Sequence, residues 1–300
     1  SYASNMALTE CDLLINLGSR FDDRLASNPN EFAPNAKVVH IDIDESEINK
    51  VIPTTLGIVA DCKKVLEALV TEHQSHATYK EWVDHCLDNK SKHPFKYKEA
   101  NDTFCRPQEA IEYIGKITNG EAIVTTDVGQ HQMWSAQFYP FKHHSQWVTS
   151  GGLGTMGFGI PSAIGAQLAA PDKTVICFVG DGGFQMTNQE MALLPEYHLN
   201  VKIVLINNGT LGMVKQWQDK FFNQRFSHSV FNDQPDFIKM AEAYGVKSFL
   251  IDHPNKLKAQ LDEAFNYEGP ALIEVRISPA EPVNPMIPSG KANHEMEGLE

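Results

Sequence analysis

An α/β fold built on doubly wound, mostly parallel sheets is predicted by three features of this sequence. Two near-continuous apolar runs, at 174–179 and 201–206, have the length and character of parallel strands covered on both faces. Strands and amphipathic helices alternate over residues 1–73, and the alternation resumes from Arg106. Residues 74–105 between them turn charged and polar, which separates two sheet-forming regions.

The elements follow from local patterning. A helix containing Met6 runs up to Cys11 and leads directly into a strand at 13–17. Strands at 38–43 and 57–60 and an amphipathic helix at 62–70 complete the first alternation. A helix near 79–88 precedes an irregular stretch through His93-Pro94 to Thr103. The second region reads as helix 107–117, strand 121–125, helix 130–137, helix 158–169 and strand 174–179, with a helix around 187–194 before strand 201–206. A short helix bearing Trp217 and a strand at 271–277 come later, and Pro279, Pro282, Pro285 and Pro288 keep the tail from being helical. The expected domains are therefore 1–73 and 106–300, joined by a linker over 74–105.

Composition narrows the function. The 300 residues are 42% hydrophobic and 21% charged, as in ordinary soluble proteins. A net charge of -13 argues against nucleic acid and anionic membranes as partners. No apolar stretch has the length of a membrane-crossing helix, and no signal peptide pattern opens the chain. The five cysteines contain no CxxC pair, so a disulfide framework or zinc site is not expected, and the cytoplasm is the expected compartment. Cys177, inside an apolar strand, reads as core filling.

Polar clusters close both apolar runs. The first ends in Gly180-Asp181-Gly182-Gly183 and the second in Asn207-Asn208, with Asn208 lying 27 positions after Asp181. In parallel sheets ligands bind beyond the carboxyl ends of strands. One carboxylate and one amide oxygen are too few for an all-protein calcium cage but suit magnesium, which takes its other oxygens from water, backbone and a bound diphosphate. Gly180, Gly182 and Gly183 let backbone approach phosphate oxygens, and the following helix would aim amides at an anion. Either cluster alone also reads as a plain turn. Two of them, each behind an apolar strand, point to a site.

At these residues the chain resembles the thiamine diphosphate enzymes, whose signature is Gly-Asp-Gly followed at this spacing by Asn-Asn. Further blocks make it similar to acetohydroxyacid (acetolactate) synthase large catalytic subunits. They are the runs at 128–134, 149–159, 211–217 and 285–290, with Arg20 to Arg24 and His40 to Asp44 nearer the start. The resemblance implies thiamine diphosphate, magnesium and FAD as cofactors. The reaction would condense pyruvate with a second 2-keto acid, giving 2-acetolactate or 2-aceto-2-hydroxybutyrate in branched-chain amino acid biosynthesis. It also implies a homodimer or higher oligomer, with a small regulatory subunit as a further partner.

Residue by residue, the resemblance gives magnesium to Asp181, Asn208 and the backbone of Thr210. It gives thiamine diphosphate to Gln130, His131, Gly154, Met156, Gly180, Gly182, Gly183, Leu211, Gly212 and Met213. Met156 would wedge beneath the cofactor, while Met213, Val214, Trp217 and Ser289 would line the pocket of the second substrate. FAD falls to Arg20, Asp42, Ile43, Asp61 and Cys62. Read without the resemblance, His131 is as well a helix-packing residue, Met156 and Trp217 are core, and Asp42 is a solvated strand end lacking any GxGxxG.

One departure concerns catalysis. Family members activate the cofactor with a glutamate from the N-terminal domain of a neighbouring subunit, and no glutamate here matches that motif. The chain opens at Ser1 in what reads as the middle of the central domain, so the expectation is a C-terminal fragment, inactive by itself. A related carboligase or pyruvate oxidase, and a non-catalytic cofactor-binding fragment, are the competing readings.

Overall fold

A computed structural model describes residues 1–72, 78–98 and 103–299. Residues 73–77 and 99–102, most of them in the expected linker, lie outside the described residues. Two compact units emerge, one of Ser1–Lys96 with the segment from Asn284 on, the other of Tyr97–Val283. Among the described residues no helix is long and apolar enough to cross a membrane.

The first unit contains α1 (Tyr2–Glu10), β1 (Leu13–Leu17), β2 (Lys37–Asp42), β3 (Leu56–Val59), α2 (Cys62–Glu72) and α3 (Lys80–Lys92). Its strands pair in parallel in the order β1-β2-β3. A small core of Phe21, Phe32, Val38 and Ile52 packs on one side. Helix α3 runs four residues past the expected end, with Lys80–Asp84 and Lys92–Asp88 ion pairs along its exposed face. A bond between His85 Nε2 and Glu10 Oε2 of 2.6 Å joins it to α1.

The tail, read above with the second domain, is held by the first unit. Its prolines remove backbone donors, so it takes partners from nearby surfaces. Met286 and Glu297 exchange backbone bonds of 3.0 and 2.9 Å. Gly290 N donates to Ser27 Oγ at 2.8 Å, and Asn5 Nδ2 to Met296 Sδ at 3.1 Å.

The second unit is a six-stranded parallel sheet between helices. In chain order it runs α4 (Pro107–Ile117), β4 (Ile123–Thr126), α5 (Gln130–Phe138), β5 (Trp147–Thr149), α6 (Gly159–Ala169), β6 (Val175–Gly180), α7 (Asp181–Thr187) and α8 (Leu193–Glu196). There follow β7 (Val201–Asn207), α9 (Gly212–Phe221), α10 (Phe237–Ala243), β8 (Lys247–Ile251), α11 (Leu257–Asn266) and β9 (Ala271–Arg276). The strand order is β5-β4-β6-β7-β9-β8. From β4 the chain first moves outward to β5, then crosses to β6 and onward. A crevice therefore opens between the carboxyl ends of β4 and β6, the switch point where such folds bind ligands.

Both apolar runs become central strands, and every residue of β6 and β7 is buried. Cys177, Val179, Phe184, Ile203 and Leu205 share one core with α6 and α10. Lys202 sits in this buried row, and its Nζ donates to the carbonyls of Tyr267 and Gly269 at 2.6 and 2.8 Å, which satisfies the buried ammonium. The edge strands β5 and β8 and helices α10 and α11 have weaker patterns, and the sequence reading assigns none of them. The helix expected around 187–194 differs most. It starts at Asp181, and 188–192 forms a 3-10 turn. Adjacent glycines disfavour helix by about 1 kcal/mol each, which hides the start. Close packing demands glycine at 183 despite that penalty, because a Cβ there would collide with the Asp127 carboxylate.

Candidate functional site

Three loops meet at the switch point: the β4–α5 connection, the β6–α7 junction and the β7–α9 connection. They enclose a recess of about 60 Å³ lined by Gln130, His131, Met156, Gly180, Asp181 and Asn208 among others. Gly182, Gly183, Thr210, Leu211, Gly212, Met213 and Val214 complete the predicted residues on its wall. The volume is far below the roughly 300–1,000 Å³ of a complete ligand pocket. A larger hollow of about 760 Å³ lies at the ends of β7 and β9, lined by Asn207, Asn208, Gly209, Gln234 and Glu274 among others; it shares Asn208 with the recess, but Gly180, Gly182 and Gly183 are not part of it.

Asp181 carries the charge. It is 2% exposed, with Oδ1 accepting from Gly182 N at 3.0 Å and Oδ2 from Gln234 Nε2 at 2.7 Å. Burial pushes its carboxyl up to about 6, and these donors only partly oppose that. A buried carboxylate with a raised pKa is relieved by a cation. Asn208 lies beside it at the end of β7, donating through Nδ2 to Gln130 Oε1 at 3.1 Å and accepting from Thr210 N at 3.0 Å. The Thr210 hydroxyl is buried without a partner.

Gln130, expected at thiamine diphosphate, lines the recess. Its Nε2 donates to Gln216 Oε1 at 2.8 Å and to the Glu281 carbonyl at 3.1 Å, which engages both N–H groups. Its side chain thus orients Asn208. His131, one residue on, is buried with Nε2 unpartnered, and burial pushes its pKa down to about 4 against the pull of Asp127. The ring is neutral near pH 7, and its buried Nε2 has no partner.

Other predicted residues are placed differently. Gly154, with φ +64°, belongs to an exposed turn and is not on the recess wall. Trp217 sits one helical turn beyond Met213, half-buried, its ring 6.1 Å edge-on from Phe221 and its Nε1 unpartnered. Ser289 belongs to the first unit. In that unit Arg20 is exposed and 3.4 Å from Asp22, and Ile43 is exposed. Asp42, at the end of β2, is buried rather than solvated and accepts from Asp44 N at 2.9 Å. Asp61 accepts from Lys64 N at 3.1 Å at the start of α2, where Cys62 Sγ lies 3.7 Å from the Ile41 carbonyl. These five residues of the first unit stand at or just beyond the carboxyl ends of its parallel strands.

Asp127, Gln216, Gln234 and Glu281 hydrogen-bond to residues of the recess, and the sequence reading assigns none of them to the site. Asp127 is buried, and its oxygens accept from Val128 N and Gly159 N, both at 2.9 Å, which pins the start of α6 against the β4 loop. Its position directly after a strand is a usable signal. The other three have none, since long sequence separations bring them to the site.

The donor set suits a diphosphate held through a cation: one buried carboxylate, one amide oxygen, orphaned polar atoms on His131 and Thr210, and backbone laid bare by glycine. Sequence comparison agrees. Residues 127–275 match the thiamine pyrophosphate enzyme C-terminal TPP binding domain, and residues 1–69 match the thiamine pyrophosphate enzyme central domain. The acetolactate synthase large subunit of Lactococcus lactis is 54% identical over 100% of this chain and 52% of its own length. The isozyme 2 large subunit of Escherichia coli is 42% identical over 98% of this chain and 53% of its own length. The large subunit of Porphyra purpurea is 41% identical over 99% and 51%. The chain thus spans about half the length of the curated relatives it matches. It belongs to the thiamine pyrophosphate enzymes, with matches to both their central and C-terminal cofactor-binding domains.

Proposed function

We propose that this chain is the cofactor-binding part of an acetolactate synthase large subunit, acting on pyruvate and a second 2-keto acid. The observation that carries the reading is the buried Asp181 beside Asn208 and Thr210 in a glycine-walled recess at the switch point. Asp181 and Asn208 side-chain oxygens and the Thr210 carbonyl hold magnesium, and the cation offsets both the buried carboxylate and the diphosphate. Thiamine diphosphate, when bound, supplies the carbon nucleophile and electron sink for decarboxylation and carbon–carbon bond formation. The chain's own work is positional. Gly180, Gly182 and Gly183 clear the path for phosphate oxygens, and Gln130 fixes Asn208. His131 and the Thr210 hydroxyl offer the polar atoms that lack protein partners. Met156, Leu211 and Met213 supply apolar wall for the cofactor rings.

Met213, Val214 and Trp217 line the acceptor pocket in this reading. FAD is held by Arg20, Asp42, Ile43, Asp61 and Cys62. His40 is fully buried beside Asp42, its Nε2 3.7 Å from Asp42 Oδ2 and its ring edge-on to Phe21. A second copy of the subunit and a small regulatory subunit are the proposed partners, and the cytoplasm the compartment. Titration calorimetry tests the cofactor reading: the chain takes up thiamine diphosphate only with magnesium, and Asp181→Ala removes that uptake. Equal affinity for the variant would take Asp181 out of the metal site.

A further inference from the structure

We infer that Glu274 is a positioning residue for the cation-binding loop, acting through Asn207; this rests on the assignment of magnesium to Asp181, Asn208 and Thr210. Glu274 projects from β9 and is 2% exposed. On the paired strands Leu205 faces Glu274 and Asn207 faces Arg276, so Asn207 and Glu274 are diagonal neighbours on one face. Glu274 Oε1 accepts from Asn207 Nδ2 at 2.9 Å and from Arg276 Nε at 3.0 Å.

The chemistry of that contact decides which way the Asn207 amide points. A carboxylate only accepts, so it binds the NH2 end and turns the carbonyl end away. Asn207 Oδ1 then accepts from Gly209 N at 3.1 Å, closing a turn in which Gly209 takes φ +67°. This turn carries Asn208 and Thr210. The backbone carbonyl of Asn207 is tied separately, accepting from Ile277 N at 2.9 Å. An amide flip would set the Asn207 carbonyl oxygen against a carboxylate and an NH2 against the Gly209 N–H. Both contacts would be repulsive. Glu274 thus holds the shape of the loop without reaching the recess, since it is absent from the recess wall. Arg276, half-exposed, balances the buried charge.

The test uses the chain with Glu274→Leu, Glu274→Gln and Asn207→Ser, plus the Glu274→Leu/Asn207→Ser double variant. Two readouts are taken: amide hydrogen exchange at Gly209 without ligand, and magnesium-dependent thiamine diphosphate affinity by calorimetry, alongside a thermal melt. Glu274→Leu is expected to speed Gly209 exchange and weaken affinity by about 10- to 100-fold, the usual cost of losing an outer-shell partner. Glu274→Gln, whose oxygen still accepts from Asn207, is expected to restore both. Asn207→Ser, whose hydroxyl cannot reach Glu274 and closes the turn to Gly209 N only weakly, reproduces the loss from the other side if Glu274→Leu fails to fold. The double variant is no worse than either single one, because both break one link. Wild-type exchange and affinity in a folded Glu274→Leu, or losses that add in the double variant, would overturn the role. A wild-type chain without magnesium-dependent binding would sink the cofactor reading instead, and Gly209 exchange would then decide the role of Glu274 alone.

Discussion

Both units place polar residues at the carboxyl ends of short parallel strands, yet they are built to different depths. In the second unit β6 and β7 are buried at every position, and Asp181 beyond them is desolvated enough for its carboxyl to rise to about 6. In the first unit Leu13, Ile15 and Leu17 of β1 are 51%, 51% and 41% exposed, and Asp42 and Asp61 at its strand ends are satisfied by local turns. In sequence β1 is as apolar as the central strands. What differs is cover: layers on both faces turn a strand-end acid into a strained charge, whereas a thin layer leaves Asp61 in water.

The comparison breaks most readily in the strands. Ile203→Ala, in the fully covered β7, is expected to cost about 2–5 kcal/mol, the usual range for a buried aliphatic truncation. Ile15→Ala in β1 should cost well under half of that, since half of the side chain already meets water. Urea unfolding of the two variants reads the difference directly. Similar losses would mean that β1 is covered in solution.

Charge sharpens the contrast. The Asp181 pKa is raised in the folded chain, so the folded state holds this proton more tightly than the unfolded state. The stability it contributes is complete below about pH 4 and is lost as pH rises through about 6. A shift of this size corresponds to about 2–3 kcal/mol, so Asp181→Asn should stabilise the metal-free chain near pH 7 by up to that amount. It should also flatten the melting temperature between pH 4 and 6. Magnesium with thiamine diphosphate should stabilise the wild type more at pH 7 than at pH 5, because the cation binds the ionised form. Exposed Asp61, changed to Asn, keeps an oxygen that accepts from Lys64 N. Asp61→Asn should therefore change stability by less than about 0.5 kcal/mol, as surface substitutions do.

Glycine gives the smallest contrast. Gly183→Ala drives a Cβ into the Asp127 carboxylate, which two backbone amides hold in place, and should cost about 1–3 kcal/mol. Gly57→Ala meets side-chain atoms alone, Ile48 Cγ2 at 2.5 Å from the ideal Cβ and Thr54 Oγ1 at 3.5 Å, and should cost less because a χ1 turn of Ile48 relieves the contact. Thermal melts of the pair rank them. A cheaper Gly183→Ala would show that Asp127 yields.

Sequence alone determined what is local along the chain. Apolar runs marked β6 and β7 because burying both faces requires it, and Asp181 and Asn208 stood out as polar residues directly after those runs. Helix 107–117 was legible to the residue, from a proline at its first position and a regular apolar stripe. Tertiary structure decided what depends on distant neighbours. The start of α7 at Asp181 runs against glycine propensity, and the glycine at 183 is required by its approach to Asp127. The tail joined the first unit through bonds that no periodicity encodes. Partners 86 and 151 positions away, Gln216 and Glu281, take the amide hydrogens of Gln130, which no local pattern foretells. Hydrogen-bond capacity is finite, and only the folded chain reveals which partners fill it.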